Sequence, residues 1–174
     1  NRPVYDVVDG IAHLRVENRV LPGGPTVVDT LANAAFYFGL VRKLAQDERP
    51  LWSQMSFSAA AENFHSGAKH GIHARVYWPD LGDIEVVELA LRRLIPMAAE
   101  GLALWGLDSR ATDRLVTILE RRCTTRQNGA QWVIDGVHTL ESRGVERAEA
   151  LRQITLEYME LMHSNQPVHS WPSL

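Results

Sequence analysis

The chain has 174 residues, 45% of them hydrophobic and 22% charged, with a formal charge of −3. A chain of this length buries roughly 70% of its unfolded surface and needs no staples, and so small a charge leaves no footprint for nucleic acid or an anionic membrane surface. Its single cysteine, Cys123, excludes an internal disulfide and fits a reducing, cytoplasmic compartment, and no apolar run approaches the length of a membrane span.

The stretch from Asn1 to Tyr5 already reads as structured chain, so further sequence is expected upstream, where a targeting signal would also lie. Val4 to Val8, then Asp9-Gly10, then Ile11 to Leu21 spell a β-hairpin, because Asp-Gly accepts the positive φ angles of a two-residue turn. The second arm alternates. Leu14, Val16, Asn18 and Val20 share one face, and His13, Arg15, Glu17 and Arg19 the other. Pro22-Gly23-Gly24-Pro25 ends it. A lone hairpin is marginal in water, so this one calls for more sheet, from the rest of a larger protein or from another copy.

After Pro25 the period is helical throughout. Thr26 and Asp29 form a capping pair for a helix to about Ala45, apolar enough around Phe36, Tyr37, Phe38 and Leu40 to be buried. Further helices are expected from Phe57 to His70, stopped by Gly71, and from Ile84 to Trp105, kinked by Pro96. Three more follow: Ser109 to about Cys123, Asn128 to Gly144, and Glu146 to about His163. Leu31, Phe38, Leu94, Trp105, Leu119 and Trp132 are expected in the core. The fold class is α+β, mainly α, with a hairpin over residues 1–22, a helical bundle over 26–165 and a tail over 166–174.

The alternation sets Arg15, Glu17 and Arg19 side by side, with same-face neighbours roughly 7 Å apart. A carboxylate between guanidiniums suits Mg²⁺ and polyphosphate, since the carboxylate takes the hard cation and arginine forks take phosphate oxygens. The same pattern suits a solvent-facing ladder of mutually paired charges. His65, His70 and His73 lie close in sequence but lack the spacing of a helical zinc site. Glu62, His65 and Lys69 share a helical face that reads as solvated. Cys123 near Arg121, Arg122 and Arg126 is a cysteine at a helix end, with a reactive thiolate as the alternative. No nucleophile elbow, phosphate loop or dinucleotide fingerprint is present.

Three segments in order, Arg15-Val16-Glu17-Asn18-Arg19, then Pro25-Thr26 with Asp29, then Glu62-Asn63 with Lys69, Gly71-Ile72 and Ala74, resemble the C-terminal half of bacterial glutamate–cysteine ligases. More broadly they resemble the type 2 carboxylate–amine ligases. Arg126-Gln127-Asn128-Gly129-Ala130 is similar to a Gly-Ala-rich segment of that branch, so the likeness spans about Leu14 to Ala130. It implies that the chain is a portion of a larger catalytic domain. There, a glutamine-synthetase-like antiparallel sheet, of which the hairpin is a remnant, holds ATP, Mg²⁺ and substrate on its concave face. The implied reaction is phosphorylation of a carboxylate, the γ-carboxyl of glutamate, followed by attack of an amine such as cysteine on the acyl phosphate. Carried over, Glu17 would be a metal ligand and Arg19 a contact to the transferring phosphate, with Arg15 beside them. Asn63 and Lys69 would border the nucleotide or substrate. The chain departs from the family where Leu21 to Gly24 replace an acidic residue expected soon after the strand arginine. The other metal carboxylates would lie upstream, so the isolated chain is expected to be inactive. A helical interaction module whose hairpin completes a partner's sheet, or a catalytically dead relative, is the competing reading. Small-molecule substrates, and either a homo-oligomer or the missing N-terminal half, are the expected partners.

Overall fold

The computed structural model describes residues 2–174. It is mainly helical, with the expected antiparallel hairpin at its N-terminal end. Strands β1 (Arg2–Val8) and β2 (Ile11–Glu17) pair so that Tyr5 faces Leu14 and Arg2 faces Glu17. Asp9 and Gly10 turn the chain with φ of 51° and 78°, the pair of positive angles that a tight hairpin turn demands. β2 stops at Glu17, short of Leu21. Arg2 already stands opposite Glu17, so the residues beyond have no described strand to pair with. Cross-strand partners share a face, which places Pro3, Tyr5 and Val7 beside Val16, Leu14 and Ala12. That apolar face is uncovered, with Leu14 76% exposed.

Helix α1 (Val27–Leu44) starts where the Thr26 hydroxyl oxygen accepts from the Asp29 amide. Its bulky residues are only partly taken up: Phe36, Tyr37 and Leu40 are half-buried, with Phe36 against the core, and Phe38 is exposed. Its buried side carries Ala32, Ala35 and Gly39, and a Cβ added at Gly39 would collide with the backbone of Ala98, as one added at Gly101 would with Gly39. Close backbone contact through small residues leaves Leu31 at 55% and Phe38 at 57% exposed, against expectation. Trp105, at 61% exposed, and half-buried Leu94 also lie outside the core, whereas Leu119 and Trp132 are inside it.

Helix α2 (Phe57–His70) is capped by Ser56 and ends at Gly71, whose φ is 54°. After it comes an element that the helical period conceals, a short hairpin of β3 (Arg75–Trp78) and β4 (Gly82–Glu85). Its strands are four residues each, too short for alternation to stand out, and the expected helix at Ile84 therefore begins later. That helix comprises α3 (Val86–Leu89), a wide π turn over Ala90–Leu94 and α4 (Ile95–Leu104). Pro96 has no N–H to give to the Arg92 carbonyl, and the π turn just before it absorbs the lost bond.

Helix α5 (Ser109–Thr125) is capped by the Asp108 carboxylate, not by Ser109. Asn128 caps α6 (Gly129–Ser142), and α7 (Arg147–Ser164) ends at left-handed Asn165. Residues 166–174 fold back into the body. Trp171 stands edge-on to Trp132 and Tyr158, at centroid distances of 5.3 and 5.2 Å, and Val168 is fully buried. Among the described residues, no helix is long and apolar enough to cross a membrane.

Candidate functional site

The period of β2 brings the charged row onto the face opposite Tyr5 and Leu14. Glu17 sits at its centre. Its Oε2 accepts from Arg2 Nε at 2.6 Å and its Oε1 from Arg19 Nε at 2.9 Å. Arg19 lies just past the strand and reaches back. Arg15 Nη1 donates to Asp6 Oδ2 at 2.9 Å, across the ribbon. The bonds from Arg2 and then Arg19 hold the Glu17 carboxyl below its ordinary range, and Arg15 with the Val7 amide does the same for Asp6. Both carboxylates are therefore ionised at neutral pH. The row thus contains Arg2 and Asp6, which reading the first strand from Val4 overlooked in part. A two-residue turn at Asp9-Gly10 sets the register, and that register would have named Arg2 as the partner of Glu17.

Both Glu17 oxygens are occupied by guanidiniums, so a divalent cation would have to displace one of them. Mg²⁺ is usually held by one or two carboxylates together with phosphate oxygens and water. Glu17 could serve as one such ligand only in exchange for its bond to Arg2 or Arg19. Among the described residues no three His, Cys, Asp or Glu side chains converge as a metal cage.

The remaining candidates lie elsewhere. Asn63 on α2 clamps a peptide unit of β3, donating Nδ2 to the Tyr77 carbonyl at 2.8 Å and accepting the Tyr77 amide on Oδ1 at 2.7 Å. It pins the second hairpin to α2. Lys69 is exposed near the end of the same helix. His73 pairs with Gln131, at 3.1 Å, and forms no metal site with His65 and His70. Burial pushes the Cys123 thiol up and outweighs the opposing pull of the Arg122 guanidinium, which is bonded to Asp29, while Arg126 pairs with Glu85. The reactive-thiolate alternative has no support in this geometry.

Beyond the Thr26–Asp29 cap, nothing in the sequence marked the buried polar centre that Asp29 builds. Asp29 is fully buried on α1, and its Oδ1 accepts from Arg122 Nη2 at 2.8 Å. Arg122 Nη1 donates to Asn33 Oδ1 at 2.6 Å, while Asp29 Oδ2 accepts from the Thr26 hydroxyl at 2.8 Å and the Val168 amide at 3.0 Å. Beside it a cavity of about 490 Å³ opens between the Pro22–Pro25 linker and the start of α6, lined by Asn33, Arg122, Asn128 and Tyr158 among others. Gly129 borders it and packs tightly on Pro25, whose Cγ an added Cβ would meet at 2.7 Å. The charged row of the ribbon does not line this cavity. Asp29 and Arg122 are 93 residues apart, and no local pattern announces such a pair. The segment Arg126 to Ala130 is likewise accounted for by packing. Gln127 Nε2 donates to the Val168 and Trp171 carbonyls at 2.8 and 3.0 Å, and Asn128 caps α6.

No family model, no curated protein and no solved structure matches the chain.

Proposed function

We propose that the chain is the C-terminal portion of a cytoplasmic ATP- and Mg²⁺-dependent ligase. It would join a carboxylate, the γ-carboxyl of glutamate, to an amine such as cysteine through an acyl phosphate. One observation carries the reading: an ionised carboxylate, Glu17, held among Arg2, Arg15 and Arg19 on one face of a ribbon whose other face is apolar. Phosphoryl transfer needs positioning and charge neutralisation more than covalent chemistry, and a carboxylate with arginine forks supplies both once a metal–nucleotide arrives. Glu17 takes the metal role, Arg19 the transferring phosphate and Arg15 a flanking contact. Asn63 acts through β3, which it holds, and Lys69 remains as a cation for nucleotide or substrate. The two open edges of the ribbon are where further strands, with the other metal carboxylates, would add.

The test uses the full-length protein and measures ADP release with glutamate and a panel of amines. Glu17→Gln keeps the size and one acceptor oxygen but removes the charge, and turnover is expected to fall about a hundredfold or more. Arg19→Lys is expected to be severe as well, because an ammonium cannot reproduce a two-pronged contact to phosphate. Turnover that survives Glu17→Gln removes the catalytic role from this strand. Absence of glutamate-dependent ADP release with every amine removes the ligase reading.

The mutual pairing of the charges and the uncovered apolar face favour a second reading, a non-catalytic module or dead relative whose ribbon completes a partner's sheet. On that reading neither substitution changes any turnover.

A further inference from the structure

Among the apolar surfaces exposed in the described residues are two continuous ones. One is the ribbon face built from Tyr5, Val7, Leu14 and Val16. The other is the outer side of α1, where Val27, Leu31, Ala34, Phe38 and Val41 follow one another at alternating steps of four and three residues. Such spacing is a single stripe along a helix. Trp105 extends the stripe at its far end, since its Nε1 donates to the Phe38 carbonyl at 3.3 Å and its ring lies 5.1 Å from the Arg42 guanidinium carbon.

We propose that two copies of this chain associate by exchanging ribbons, the apolar face of each β1–β2 hairpin lying along the outer stripe of α1 in the other copy. Four features fit the two surfaces to each other. Their lengths agree, because the six steps from Arg2 to Val8 span about 20 Å and the fourteen steps from Val27 to Val41 about 21 Å. Their relief is complementary. The bulky Tyr5–Leu14 pair stands at the middle of the ribbon, and small Ala34 leaves a notch between Leu31 and Phe38 at the middle of the stripe. Their area is sufficient. The exposed fractions of the eight larger side chains amount to roughly 900 Å² per copy, and a stable association needs about 800 Å² per partner. Their symmetry closes, since one contact repeated about a two-fold axis satisfies both surfaces of both copies and leaves no open end. The charged face of the ribbon points away from the covered one, so Arg15, Glu17 and Arg19 stay in solvent. The inference therefore stands independently of the ligase reading, and its readout is mass, not turnover.

Sedimentation velocity on the 174-residue chain tests it. The wild type is expected to be a dimer at tens of micromolar. Leu14→Glu and Leu31→Lys both alter exposed positions, so circular dichroism should be unchanged, and each should weaken dimerisation at least about a hundredfold. Mixing the two variants is decisive. In the mixed pair one ribbon–helix contact is wild type on both sides, and the other sets the introduced carboxylate against the introduced ammonium. The mixture is expected to associate at least tenfold more tightly than either variant alone. Helix-to-helix or ribbon-to-ribbon pairing would leave one of the two variants as dimeric as the wild type and would overturn the proposal. A monomeric wild type, or a mixture no tighter than its components, would overturn it equally.

Discussion

Replacing Asp29 with alanine is the sharpest test of how this fold is held together. The carboxylate is fully buried and joins three pieces of chain, two of them distant in sequence. These are its own helix start through Thr26, α5 through Arg122 at 2.8 Å, and the C-terminal segment through the Val168 amide at 3.0 Å. Removing one partner of a buried ion pair strands the other charge, at a cost of about 3–5 kcal/mol. The Val168 N–H left without an acceptor adds about 1–3 kcal/mol. The two losses share a relaxation, and Arg122, with its side chain 13% exposed, recovers some hydration. The expected loss is thus about 4 kcal/mol, a large part of the roughly 5–15 kcal/mol that stabilises a domain. Urea titration followed by tryptophan fluorescence reads it, because Trp132 and Trp171 are buried in the core that Val168 helps to close. The pairwise part is isolated by a cycle with Arg122→Met. The double variant should be less destabilised than the sum of the singles by about 2 kcal/mol or more. A single variant within 1 kcal/mol of wild type, or a strictly additive cycle, would refute the reasoning.

Three further outcomes are expected. Gly101→Ala should destabilise by about 3 kcal/mol or more in the same urea titration, because the new methyl enters the Gly39 backbone and neither helix can yield without opening the α1–α4 contact. Trp171→Ala should cost about 3–5 kcal/mol through loss of the aromatic trio with Trp132 and Tyr158, whereas Trp105→Ala, at an exposed site, should cost far less. Glu149 is held down to about 2 by Arg152 and then Gln153. A depressed carboxyl favours the folded state above the unfolded-state value of 4.5, and that preference disappears as pH falls through about 2. Carboxyl NMR titration should place the Glu149 midpoint near 2 and should show it rising in Arg152→Ala.

Much of the local architecture was legible from residues a few positions apart. Thr26, Ser56 and Asn128 each bond an amide three residues on, and Asp9-Gly10, Gly71 and Gly144 supply positive φ where the chain must turn. These signals work because cap and turn energies depend on the chain within four residues, whatever the rest does. The same locality made Glu17 and its arginine neighbours visible as one row. It failed at β3 and β4, whose strands are too short to show a period and whose place is set by Asn63 fourteen residues away. It failed again for Leu31, Phe38 and Trp105. Hydropathy marks a side chain as apolar, but which apolar face finds a partner depends on shape. α1 meets α4 through Ala32, Ala35 and Gly39 because small residues let two backbones approach closely. The Asp29–Arg122 centre and the anchoring of Val168 are contacts between segments whose separation in sequence carries no trace of their meeting. Periodicity and caps thus settled where most helices run, and packing alone settled which of their faces are buried, because burial belongs to pairs of surfaces and not to residues.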